Sequence, residues 1–167
     1  DAFFLGEAGL SVVVLERGRC AQVDSGHTSA HLTMVTDTRL SALVARLGRT
    51  HAQAVWDAGL AAIAEIDVII RERQIACGFD WVDGYLHGPC TEAPTAPDDG
   101  DSFREEAAPA AELGFDAEFV ASVPIVGRPG IRFFAQARFH PRQYLAGLAA
   151  AIVALGGRIH EYSNAEA

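Results

Sequence analysis

Apolar positions along this chain recur at two periods, 3.6 and two, with glycines at most of the joins. FFLGEAG (3–9) predicts the last turns of a helix with Gly9 as its stop, and the apolar SVVVLE (11–16) follows at once as a buried strand. From Leu40 to Arg73 the spacing is helical. Leu40, Leu43, Val44 and Leu47 share one face, as do Leu60, Ile63, Ile66, Val68 and Ile70 approximately, and Gly48 marks a break between two helices. Beyond Cys77 the period becomes two. FDWVDGYLHGP (79–89) reads as a strand, a tight Asp-Gly turn and a second strand.

The Pro- and Asp-rich stretch 89–101 reads as a surface loop, followed by a helix from Ser102 to Leu113 that ends at Gly114. Short strands are expected over 117–120 and 131–139. Pro141 opens a further helix at its favoured first position, Gly156 and Gly157 stop it, and RIHEY (158–162) begins a strand. Residues 18–37 are small and polar, with Asp24, Ser25, Thr28 and Ser29 able to cap a helix. The order is α/β, then helices, then a small β-rich region, then α/β again. An insertion into a dinucleotide-binding domain produces that order, and so does a plain α+β protein.

Composition narrows the classes. The 167 residues are half hydrophobic, which argues against disorder. A net charge of −9 disfavours nucleic acid and anionic membrane surfaces as partners. No run reaches the ~20 apolar residues of a membrane helix, and no basic segment suggests a signal peptide. Cys20, Cys77 and Cys90 match neither a disulfide framework nor a metal-ligand spacing, so a cytoplasmic location and no metal are expected. The first residue is Asp rather than Met, and it reads as something other than the natural start.

The strand 11–16 ends on a carboxylate, Glu16, with Arg17 next. In dinucleotide-binding folds an acid at the end of such a strand holds ribose hydroxyls, and a glycine-rich phosphate loop lies about 20 residues upstream. Only fifteen residues precede Glu16, so that loop is expected before residue 1. His27 and His31 are four apart, a spacing that on a helix sets two imidazoles on one face, but no third ligand lies nearby. His140, before a proline at a helix start, reads as a cap or a packing residue. Trp81, Tyr85 and Arg132 read as sheet packing or solvated charge ahead of substrate contacts, and Cys20 as an inert thiol.

Four stretches together resemble the FAD-dependent oxidoreductases of the D-amino-acid oxidase, glycine oxidase and sarcosine oxidase superfamily. They are EAGLSVVVLERGR (7–19), SGHTSAHLT (25–33), VDGYLHGP (82–89) and FHPRQYLAGLAAAIVALGGRIHE (139–161). The likeness is nearest to the bacterial branch often fused to a Rieske iron–sulfur domain. It runs over nearly the whole chain in the expected order. The glycine fingerprint is missing, through truncation or through a deletion joining DAFFLG to EAG, and the chain reads as incomplete at both ends.

The resemblance implies an α/β (α+β) fold: a partial Rossmann-like FAD-binding domain carrying part of an inserted, β-rich substrate domain. Residues 1–75 would be an FAD-binding segment with following helices, 76–140 part of the substrate domain, and 141–167 the return to the FAD-binding domain. It implies that Glu16 binds the adenosine ribose and that Arg17 lies near the adenine or pyrophosphate. Ser25, His27, Thr28, Ser29, Ala30, His31, Leu32 and Thr33 would form a loop and helix start passing the pyrophosphate toward the flavin, where cofactor packing by a histidine outranks covalent attachment. Small residues and hydroxyls suit close approach to a phosphate. The implied function of the intact parent is oxidation of a small-molecule amine or amino acid at the carbon bearing nitrogen, with hydride passing to FAD and electrons then to oxygen or an iron–sulfur partner. A non-catalytic α+β binding or scaffold domain that has lost the cofactor is the alternative.

Overall fold

The computed structural model describes residues 1–90 and 99–165, apart from the side chains of Val23 and Asp99. The chain divides into two compact units. The first gathers Asp1–His31, Glu65–Phe79 and Arg138–Ala167, and the second gathers Leu32–Ala64 and Asp80–Ala137.

In the first unit, α1 (Ala2–Glu7) ends as expected, with Gly9 at φ +77° and the N–H of Leu10 returning to the carbonyl of Leu5 at 3.0 Å. The strand β1 (Val13–Leu15) pairs in parallel with a strand at 158–160, Val14 opposite Ile159. A 3₁₀ turn (Val23–Gly26) follows β1. It is succeeded by the two-residue strand β2 (His31–Leu32), not by a helix. The helix start expected over 25–33 is therefore absent, and His27 and His31 do not share a helical face. Ala30 at φ +64° is incompatible with a helix there.

The breaks inside 40–73 follow the sequence closely. α2 (Leu40–Leu47) and α3 (Arg49–Glu72) are separated by Gly48 at φ +80°, which a side chain would oppose. Along α3, Ile63 and Ile69 are buried while Val68 is exposed, so the expected face is rotated at its end. In the second unit β3 (Asp80–His87) is one unbroken strand, not two strands around a turn. Asp83 explains the difference. It does not close a turn but accepts from Arg132 on a neighbouring strand, with Nη2 at 2.6 Å and Nε at 3.0 Å.

Of the loop expected over 89–101, positions 91–98 lie outside the described residues, and 99–101 already belong to α4 (Asp99–Glu112). β4 (Ala117–Val120) pairs antiparallel with β5 (Gly130–Arg138) in a four-stranded sheet of order β2-β5-β3, with β4 also on β5. Trp56 centres this unit's core. Its ring meets Phe115 and Phe133 edge-on at centroid distances of 5.1 and 5.6 Å. α5 (Pro141–Ala154) ends before Gly156 at φ +88°, and β6 (Arg158–His160) follows. Phe3, Ile69, Ile75, Cys77, Tyr144 and Ile152 form the first unit's core. Among the described residues no helix is long and apolar enough to cross a membrane.

Candidate functional site

Glu16 sits one residue beyond β1, where its N–H still donates to the carbonyl of His160 at 2.9 Å. Its carbonyl accepts from Ser163 at 2.9 Å, so both sides of the backbone are held by the segment around β6. The carboxylate is half-buried and turns back on its own chain: Oε1 accepts from the N–H of Gly18 at 2.7 Å. Oε2 makes no hydrogen bond among the described residues. Around this carboxylate lies an open cleft of ≈ 370 Å³ that Arg17, Gly18, Arg19, Asp24 and Ser25 also line.

Ser25 borders a second cavity of ≈ 570 Å³, within the same unit. One wall is the turn carrying Gly26, Thr28, Ser29 and Ala30, and the other is the start of α5 with Arg138, His140 and Arg142. One backbone bond joins the walls, and a second ties the start of α5 to the segment after α3. The N–H of Phe139 donates to Ala30 at 3.3 Å, and that of His140 to Cys77 at 2.7 Å. Thr28 Oγ1 accepts from the N–H of Ala30 at 3.2 Å, which holds the turn and leaves the hydroxyl proton available as a donor. His140 is the N-cap of α5, its Nδ1 accepting from Gln143 at 3.4 Å.

Of the ten residues singled out from sequence, Glu16, Arg17 and Ser25 share the first cleft, and Ser25, Thr28, Ser29 and Ala30 line the second. His27, His31, Leu32 and Thr33 line neither. The N–H of His27 closes the 3₁₀ turn on Asp24, while Thr33 Oγ1 accepts from Val35. Sequence reasoning missed Arg138, Arg142 and Gln143 as lining residues, and it placed FHPRQYL only as a helix start. The Pro141 signal located that helix, but which cavity its first turn borders depends on contacts more than a hundred residues away.

Two thiols near these sites are held protonated. Burial pushes the Cys77 thiol up from its ordinary value. Partial burial, and then the carboxylates of Glu161 and Glu16, push the Cys20 thiol up, which suits an inert cysteine.

A family model described as DAO, FAD dependent oxidoreductase, matches residues 2–167. The chain belongs to the FAD-dependent oxidoreductase family. A protein of Bacillus subtilis (strain 168) named as a Rieske 2Fe-2S iron-sulfur protein, YhfW, is 30% identical over 162 residues, which cover 96% of this chain and 31% of that one. Glycine oxidase from Geobacillus kaustophilus superposes with a TM-score of 0.65 at 15% identity, covering 96% of this chain and 42% of that chain. L-Proline dehydrogenase from P. horikoshii gives 0.67 at 12% identity, covering 99% and 41%. L-Amino acid deaminase from Proteus myxofaciens gives 0.69 at 12% identity, covering 96% and 35%. The chain thus spans less than half of each relative, and these structural likenesses establish the oxidoreductase family's fold in it.

Proposed function

We propose that this chain contributes to binding FAD in an oxidoreductase that oxidises an amine or amino acid at the carbon bearing nitrogen. The observation that carries the proposal is the pair of adjoining openings that meet at Ser25. The residues present fit the cofactor. Glu16 Oε2 is an acceptor without a partner among the described residues, at the end of a parallel strand, where a ribose hydroxyl can donate to it. The Ser25–Ala30 turn lines its cavity with hydroxyl donors and small side chains, which suit close approach to a pyrophosphate.

The cofactor, when bound, supplies the two-electron chemistry. This chain's residues bind and orient. Glu16 would fix the adenosine end, and Ser25, Thr28 and Ser29 would donate to phosphate oxygens. His27, His31, Leu32 and Thr33, outside both openings, are proposed to pack toward the flavin end. The first unit is the cofactor-binding portion on this reading, and the second is part of the substrate domain.

Amino acids are the favoured substrates because the similar structures are named for glycine, proline and amino acids. The Rieske-named relative supports an iron–sulfur partner as electron acceptor, with oxygen the other. The free thiols of Cys20, Cys77 and Cys90 support a reducing compartment, the cytoplasm. Titration of the protein with FAD, followed by flavin fluorescence and melting temperature, tests the proposal. Saturable binding with a raised melting temperature is expected, and no binding would overturn the cofactor reading for this chain.

A further inference from the structure

The side chains of β5 break step near the end of the strand. Ile131 and Phe133 are buried with half-buried Arg132 between them, but Ala135 is exposed at φ +53°, and Gln136 and Ala137 are then both fully buried. A left-handed residue inside a strand interrupts the two-residue alternation, and here it turns Gln136 inward. The buried amide is met at both ends. Its Oε1 accepts from the N–H of Met34 at 3.0 Å, and its Nε2 donates to the carbonyl of Phe134 at 2.7 Å. Met34 is buried too, and it meets a second element: a Cβ at Gly59 of α3 would stand 2.9 Å from Met34 Cα. Residues 33–39 belong to no helix or strand, so these contacts hold the segment where ladder bonds do not. Beside Met34, Thr33 is exposed. Its Oγ1 accepts from the N–H of Val35 at 3.0 Å, which leaves the hydroxyl proton available as a donor.

We propose that Gln136 is a positioning residue for the cofactor. Through Met34 it fixes where Leu32 and Thr33 stand, and so how well this segment meets the flavin end of FAD. The proposal deepens the flavin reading and rests on it for the ligand. A fully buried primary amide is unfavourable unless its polar atoms are met, and an apolar side chain of similar size makes no such demand. What an apolar side chain cannot do is hold a backbone N–H at one point. With Met at 136, the N–H of Met34 would be buried without an acceptor, and the segment would shift to find one. Gly59 serves the same end. Lacking a Cβ, it lets the backbone of α3 come against Met34, so β5 and α3 both stop the segment.

The test uses Gln136→Met, which keeps the side-chain length and removes both bonds, and Gly59→Ala, which presses on Met34 from α3. Gly59→Ala keeps the test open if Gln136→Met fails to fold, which far-UV circular dichroism reads. Hydrogen exchange over residues 32–35 is measured on the protein and both variants, with titrations of FMN and of ADP. FMN carries the flavin without the adenosine, and ADP carries the adenosine without the flavin. Gln136→Met should speed exchange at Met34 about tenfold or more and weaken FMN about fivefold or more, with ADP binding unchanged. Gly59→Ala should give the same pattern through a different contact. Gln136→Glu adds a pH readout, because the protonated acid can make both bonds of the amide. Its exchange rate and FMN affinity should return toward those of the protein as pH falls, and those of Gln136→Met should not. Unchanged exchange over 32–35, equal weakening of FMN and ADP, or unchanged FMN affinity where the protein binds FMN overturns the proposal. A protein that binds no FMN, yet loses protection at Met34 in Gln136→Met, sinks the flavin reading alone and leaves Gln136 as the residue that positions Thr33.

Discussion

The backbone N–H of His140 donates to the carbonyl of Cys77 at 2.7 Å, which seats the N-cap of α5 on the segment that follows α3. The same histidine caps that helix through Nδ1. Replacing His140 by Ala should therefore cost about 1 kcal/mol, while Asn or Ser should recover most of it. Urea unfolding of the three variants checks this. Equal stability of all three would show that the cap contributes nothing.

Gly147 lies against Ile75, and a Cβ there would stand 2.5 Å from Ile75 Cγ2 and 2.8 Å from Cγ1. Gly147→Ala should destabilise by about 1–3 kcal/mol through overpacking. Adding Ile75→Ala, which removes both γ carbons at the clash, should leave the double variant more stable than the sum of the two single losses predicts. A double variant less stable than the sum of the two single changes would contradict the contact.

In the second unit Trp56 is 1% exposed, and its Nε1 reaches Thr36 Oγ1 at 3.4 Å. Trp56→Ala should cost about 3–5 kcal/mol, enough to melt this unit at ordinary temperatures. Near-ultraviolet circular dichroism would register the loss. Trp56→Phe should cost less, because the edge contacts with Phe115 and Phe133 partly survive.

Alkaline pH should weaken the first unit. Burial raises the Cys77 thiol above its ordinary 9.0, and it raises the Tyr144 hydroxyl above its ordinary 10.0, aided by Cys77 and Glu65. Each folded group holds its proton more tightly than the unfolded chain does. Stability is then fully present below the ordinary values and falls as pH rises through them toward the folded values. Urea midpoints measured from pH 7 upward should drop in that window, and Cys77→Ala should flatten the lower part of the fall. A midpoint that rises with pH would contradict the direction.

Legibility from sequence tracked the range of the signals. Gly48, Gly114, Pro141 and Gly156 mark helix limits through local backbone conformation, and each stands where the sequence predicted it. Asp83-Gly84 misled because the partner that straightens it, Arg132, lies 49 residues away. The capping residues near Thr28 suggested a helix, but the turn there instead closes on itself and on Phe139. The strand before Glu16 was legible because an apolar run stops at the acid. Arg142 as a lining residue was not, since that place depends on the turn at Gly26.

The proposed seat for FAD runs from Glu16 to the turn beyond Ser25. The most direct test compares FAD with FMN, which lacks the adenosine, on the protein and on Glu16→Ala. FAD should bind at least about tenfold more tightly than FMN, and Glu16→Ala should remove most of that difference while leaving FMN unchanged. Equal affinity for the two flavins, or a preference that Glu16→Ala leaves intact, would contradict the assignment of this carboxylate to the adenosine ribose.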